Sequence, residues 1–202
     1  VAGIPFLAAF KGLTITIYDI KIYFEKLFFP KLEIEHKGLR IIHISDLHFS
    51  SYINQSYLLK LKLRIDTLKP DLIFITGDFV NFRYEELDFG RDFLNNLYAK
   101  YGVYACLGNH DHYMNESSHK KLIQSIKKTG VNLLINENIT IDVNGKMINI
   151  VGVDNYGSRQ TYGDFDKAFQ DINFNNFTIL MSHDPNTWEQ FIVGKRNVEL
   201  TL

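Results

Sequence analysis

Three features of this 202-residue chain predict an α/β fold with a mostly parallel or mixed sheet covered on both faces. Near-continuous apolar runs of strand length recur along it: "LRIIHIS" (39–45), "DLIFIT" (71–76), "GVYACL" (102–107) and "FTILMS" (177–182). Strands buried on both faces read this way. Segments with helical spacing alternate with these runs. Each of the four runs also hands over, at its C-terminal end, to residues that bind hard or borderline metals, and that edge is where sites form in α/β sheets.

In chain order, "VAGIPFLAAF" (1–10) is almost wholly apolar but shorter than the roughly 20 residues of a bilayer span. Three readings stay open for it. It can be the tail of a transmembrane helix, with Lys11 and Gly12 at the boundary; a remnant of a signal-peptide apolar region; or a buried or interfacial segment. "TITIYDIKIYFEKLFFPKLEIEHKGL" (14–39) alternates and is rich in β-branched and aromatic residues, so it reads as extended structure leading into the domain. The domain is expected over 37–202, after an anchor-and-linker segment over 1–36.

"YLLKLKLRIDTLK" (57–69) has helical spacing and stops at Pro70. "ELDFGRDFLNNLYAK" (86–100) reads as a helix despite Gly90. Ser117 is placed to cap a helix through Lys128, closed by Gly130. "VNLLI", "NITIDV" and "KMINIVGV" read as strands, the last two joined by a tight hairpin at Asn144-Gly145. "YGDFDKAFQDI" is a helix, and "PNTWEQFIV" opens with a proline suited to a first helical turn. "VELTL" (198–202) alternates as a half-buried strand does.

Hydrophobic content of 46% and charged content of 22% suit a soluble globular fold. A net charge of -1 gives no electrostatic reason for nucleic acid or an anionic membrane as partner. The single cysteine, Cys106, excludes an intrachain disulfide.

After the first strand come Asp46 and His48. After the second come Gly77 and Asp78. After the third come Gly108, Asn109, His110 and Asp111, and after the fourth His183, Asp184 and Pro185. Each pair or triplet alone is a weak signal, because a Gly-Asp is usually a turn and an Asn or Asp often caps a helix. In register with four strands, the first three about one βαβ unit apart, they converge on one sheet edge. Asp, Asn and His donors favour Mn, Fe, Zn or Mg. The absence of cysteine from the set argues against a structural zinc. Asp78 is the candidate to bridge two ions, which would generate a hydroxide nucleophile and clamp phosphoryl oxygens.

The motifs "ISDLH", "ITGDFV", "LGNHD" and "MSHDP" resemble those of the calcineurin-like metallophosphoesterases over about residues 38–202. The resemblance implies an αββα sandwich of mixed sheets and two divalent metal ions, with Mn favoured. It implies Asp46, His48 and Asp78 on the first ion, and Asp78, Asn109 and His183 on the second. His110, helped by Asp111, would protonate the leaving oxygen. The family's final Gly-His-x-His motif is not in this sequence. The chain therefore looks clipped before its last strands, and as written it is expected to bind metal weakly and turn over poorly.

His36, His43, His112 and His119 do not replace the absent motif by position. His43 reads as a core residue, His119 as solvated, and His112 as a possible substrate contact. Phe49, Tyr52, Arg83 and Tyr84 are candidates to line a cleft. Further segments, "GLRIIHISDLH", "YGVYACLGNHD", "LLINE" and "GVDN", resemble a bacterial membrane-anchored branch that includes UDP-2,3-diacylglucosamine pyrophosphatases. This implies a small or lipid-linked phosphodiester or pyrophosphate substrate and an inner-membrane location in full-length form, or otherwise the cytoplasm. The alternatives are a catalytically impaired scaffold of the same fold, or a nuclease, against which the near-neutral charge weighs.

Overall fold

The computed structural model describes residues 19–157 and 161–202. Two four-stranded sheets lie at its centre. The first contains β1 (Ile41–Ile44), β2 (Leu72–Thr76), β3 (Val103–Cys106) and β4 (Asn132–Leu133), in that order and all parallel. The second contains β5 (Glu137–Val143), β6 (Lys146–Gly152), β7 (Phe177–Met181) and β8 (Leu200–Thr201). β5 and β6 form an antiparallel hairpin, and the other pairs are parallel. Asn144 and Gly145 turn that hairpin with φ of 56° and 86°, the backbone that a two-residue turn of this hand requires.

The layers follow from the period-two alternation of strands. Leu72 and Phe74 of β2 point with Tyr104 and Cys106 of β3 into the space between the sheets, where Ile148, Ile150, Ile179 and Met181 meet them. Ile73 and Ile75 point the other way, onto Leu58 and Ile65 of α1 (Gln55–Leu68) and Leu122 and Ile126 of α3 (Glu116–Lys127). A short α2 (Arg91–Asn95) lies between those helices in sequence. Val151 and Leu180, on the outer face of the second sheet, are covered by Phe165 and Ala168 of α4 (Phe165–Ala168) and by Ile192. The order is helix, sheet, sheet, helix, as expected. Each fully buried branched or aromatic side chain contributes roughly 1.5–3 kcal/mol.

Several elements differ from the sequence expectation. Residues 86–100 are not one helix: a 3-10 segment (Tyr84–Phe89) gives way to α2 at Gly90. A Cβ at Gly90 would fall 2.2 Å from the Phe49 ring, so the position that sets a low helix propensity also admits a core aromatic. The third helix is capped two residues earlier than expected, by Asn115, whose side chain accepts from the Ser118 amide at 2.9 Å. Ser117 is inside the first turn. The helix of 162–172 shrinks to the four residues of α4, capped by Asp164. The segment after Pro185 is a π-type turn over Trp188–Ile192.

Residues 19–32 form no helix or strand. Phe29 and Leu32 nevertheless pack on the inter-sheet core. The apolar run 1–10 lies outside the described residues. Among the described residues no helix is long and apolar enough to cross a membrane.

Candidate metal centre

The site lies past the C-terminal ends of β1, β2, β3 and β7. The loop after β1 runs beside the loop after β2 and continues the strand pairing by backbone bonds. Asp46 N–H donates to Gly77 O (3.2 Å), His48 N–H to Asp78 O (2.9 Å) and Phe49 N–H to Phe79 O (2.8 Å). Holding these pairs while turning the side chains inward places Asp46 (φ 55°), His48 (φ 43°) and Asp78 (φ 55°) in the left-handed region. That conformation costs a residue with a Cβ roughly 1 kcal/mol or more. Asp tolerates it best among non-glycine residues, with Asn.

Two glycines let the loops touch. A Cβ on Gly77 would fall 2.4 Å from Gly108 N, and one on Gly108 would fall 2.2 Å from Asp78 Oδ1. The cluster therefore has room for its carboxylate only because both positions lack side chains.

Asp111 is fully buried beneath these loops. Its Oδ1 accepts from the amides of Phe79 (2.9 Å) and Val80 (3.3 Å), and its Oδ2 from Gly108 (2.9 Å) and Asp78 (3.0 Å). Burial pushes its carboxyl up to about 7, and the amide donors pull the other way. Every partner is a donor, so these contacts accept the ionised form and leave no place for a carboxyl proton. Its carboxylate does not meet the His110 ring. His110 Nδ1 instead donates to Asn81 O (2.9 Å). The help expected from Asp111 reaches His110 only through the backbone.

Two groups of ligand atoms form, each with its members within 4.8 Å of one another: His48, Asp78 and His110, and Asp46, Asp78 and His183. Asp78 belongs to both. His48 Nε2 is 3.4 Å from Asp78 Oδ2 and 3.6 Å from Asp46 Oδ1, and His183 Nε2 is 3.5 Å from Asp78 Oδ2. The division differs from the one the resemblance implies, in that His110 stands with His48 while Asp46 stands with His183.

The chemistry of the donors fits a cation. His183 Nδ1 faces the Thr76 carbonyl (2.8 Å) and must donate to it. Its Nε2 faces Asn109 Oδ1 (3.0 Å) and Asp78, both acceptors. A neutral imidazole there turns a lone pair toward oxygen lone pairs, an arrangement that a positive charge between them relieves. Asn109 is fixed with its oxygen inward because its Nδ2 donates to Tyr113 Oη (2.7 Å). Among the described residues neither Asp46 nor Asp78 has a lysine or arginine partner. Outer-shell bonds of the kind His183 makes to Thr76 orient metal-binding imidazoles.

The other histidines are placed differently from expectation. His43 is exposed on the edge strand β1, with Nε2 2.7 Å from Thr76 Oγ1. It is not a core residue, because an edge strand leaves its outer positions uncovered. The His112 ring is largely covered, with Nε2 2.8 Å from Asp154 Oδ1, and it stacks on Tyr162 and His119 at 4.0 and 4.4 Å between ring centroids. Its side chain is 5% exposed. His119 is half-buried, with Nδ1 donating to Asp111 O (2.9 Å), not solvated. Burial holds its imidazole below the usual range.

Phe49 is wholly buried against Phe93 and cannot line a cleft. Tyr84 packs on the helix-side core beneath Lys121. Tyr52 and Arg83 are exposed. The aromatic residues that do stand at His110, Phe82 and Tyr113, carry no signal in sequence beyond their closeness to the motifs.

A sheet sandwich with carboxylate, amide and imidazole donors gathered at its strand ends defines an α/β protein with candidate metal-ligand groups. Residues 39–201 match the family described as Calcineurin-like phosphoesterase, and the chain belongs to that family. It is similar to UDP-2,3-diacylglucosamine pyrophosphatase LpxG of Chlamydia trachomatis, at 30% identity over 78% of this chain and 60% of the relative. It is similar also to the metallophosphoesterase YkoQ of Bacillus subtilis, at 30% identity over 74% of this chain and 54% of the relative. The chain thus spans between half and two thirds of the length of these relatives. Among solved structures, the phosphopantetheinyl hydrolase PptH of Mycobacterium tuberculosis aligns with a TM-score of 0.47 at 15% identity, covering 76% of this chain and 72% of that one.

Proposed function

We propose that this chain hydrolyses a phosphodiester or pyrophosphate at a centre of two divalent metal ions, with Mn the favoured ion. The observation that carries this reading is the Asp78 carboxylate, which is shared by both ligand groups. Asp46, His48, Asp78, Asn109 and His183 are the metal-holding residues, and His110 is the proton donor. When bound, such ions counter the charge of phosphoryl oxygens and make water a stronger nucleophile near neutral pH.

The chain's own residues do the rest. Asp111 holds the amides of the Asp78 and Gly108 loops, and so fixes where Asp78 points. His110 Nδ1–H is committed to Asn81 O, which leaves Nε2 to carry a proton to the leaving oxygen. His48 and His183 bring imidazole nitrogens to the same carboxylate from opposite sheets.

A small or lipid-linked substrate is supported by the likeness to a UDP-2,3-diacylglucosamine pyrophosphatase. A membrane tether through residues 1–36, with the domain over 37–202, is supported by the apolar run 1–10 and by the exposed Tyr23, Phe24 and Phe28 that follow it in sequence. Such a tether would place the protein at a bacterial inner membrane.

The test uses the protein at the full length its gene encodes. After chelation and reloading with Mn, elemental analysis should find two ions per chain, with hydrolysis of bis(p-nitrophenyl) phosphate. Asp78→Asn should lose both ions and fall by about a thousandfold or more in kcat, while its circular dichroism stays that of the parent. Retention of two ions and of turnover in that variant would remove the bridge and this reading with it.

A further inference from the structure

The ligand cluster continues into an exposed aromatic wall. Phe82 is 58% exposed and Tyr113 45% exposed, and their rings lie 6.2 Å apart, inclined by 22°. Both stand at the His110 ring, 5.7 and 4.6 Å from it between centroids. The His110 ring in turn is 4.7 Å from that of His48.

Single exposed aromatics are ordinary. These two are held in place by polar bonds that also build the metal centre. Glu86 Oε2 accepts from the amides of Asn81 (2.8 Å), Phe82 (2.9 Å) and Arg83 (3.2 Å), which fixes the backbone that carries Phe82. The carbonyl of Asn81 in the same loop receives the His110 Nδ1 proton. Tyr113 is fixed through its hydroxyl to Asn109 and through its amide to His110 O (3.1 Å). A preorganised, solvent-facing pair of rings at the group that would protonate a leaving oxygen is a binding feature, because ordering it before the ligand arrives lowers the entropy lost on binding.

We infer that Phe82 and Tyr113 form a stacking platform for a planar ring carried by the phosphoester, such as a nucleobase, and so determine which substrates the centre accepts. This rests on the phosphoesterase reading above. Half-exposed rings at a shallow mutual angle offer a flat face. A ring gains from such a face by stacking, whereas an alkyl chain gains most from an enclosed groove.

Binding to the Mn-loaded full-length protein, measured by titration calorimetry, tests it without turnover. Three monoesters are compared: uridine 5′-monophosphate, glycerol 3-phosphate and decyl phosphate. The parent should bind the nucleotide about tenfold more tightly than glycerol phosphate, the effect of one stacked ring. Phe82→Ala and Phe82→Leu should each lose that preference, and Phe82→Trp should restore it. The leucine variant keeps apolar bulk without a π-face, so it decides the matter even if the alanine variant folds poorly. Metal content and circular dichroism are followed in each.

Equal preference in the parent and in the leucine variant would overturn the platform. So would a loss on decyl phosphate as large as that on the nucleotide, which would assign the wall to an acyl chain. If no monoester binds and bis(p-nitrophenyl) phosphate is not cleaved, the phosphoesterase reading itself fails, which is a different result from cleavage without ring preference.

Discussion

The loops after β2 and β3 and the loop after β7 reach the same carboxylate, but they are held there by different means. Asp78 and Gly108 are tied from below by the buried Asp111 through four amide bonds. His183 is placed by one bond from its ring to the Thr76 carbonyl of the opposite sheet. The first half of the centre is thus built into the backbone of one sheet. The second half is a single side chain reaching across from the other. The two halves should fail differently, one with the fold and one without it.

Asp111→Ala should have the largest effect. Four buried amides would lose their acceptor, and the variant should be destabilised by about 3–5 kcal/mol with both metals lost. Urea unfolding with metal analysis checks this. Full metal content in that variant would show that the loops hold themselves.

His183→Ala should have a smaller and more selective effect. Its side chain is partly exposed and its one cross-sheet bond is worth about 1 kcal/mol, so stability should fall little while one of two metal equivalents is lost. Loss of both equivalents would show that the halves are coupled more tightly than their hydrogen bonds suggest.

The smallest effect belongs to Gly145→Ala in the hairpin of the second sheet. Its φ of +86° strains a residue with a Cβ, although nothing lies within 4 Å of the new atom. A cost of about 1 kcal/mol and unchanged metal content are expected from a denaturation midpoint and elemental analysis. A drop in metal content would mean that the second sheet's register reaches the site.

The layers of the fold could be read from the sequence because parallel strands buried on both faces leave continuous apolar runs, as in "DLIFIT". The gathering of Asp46, His48, Asp78, Asn109 and His110 at one edge of the first sheet follows from the same regularity, since a residue just past a strand end in a parallel sheet has a fixed place; His183 joins them from the second sheet, which the sequence expectation of a single sheet edge does not contain. Side chains that answer to tertiary neighbours were not legible. Asp111 reads as a helper of His110, but burial beneath four amides gives it another task. Phe49 follows a motif and reads as a cleft residue, yet Gly90 opens a core space that it fills. His112 and His119 sit on a polar stretch, and only the fold brings Asp154 and Tyr162 against them. Ser117 reads as the cap of α3 in sequence, but the chain's path into the helix gives that place to Asn115.

The left-handed backbone at Asp46, His48 and Asp78 constrains what can replace these residues over evolutionary time. A position that needs both a carboxylate and this conformation loses function with almost any change, but it loses shape with most of them. Asparagine is the exception, since it keeps the conformation and gives up the charge. One nucleotide separates an aspartate codon from an asparagine codon, so the shortest path from a working centre to a silent protein of the same shape runs through positions 46 and 78.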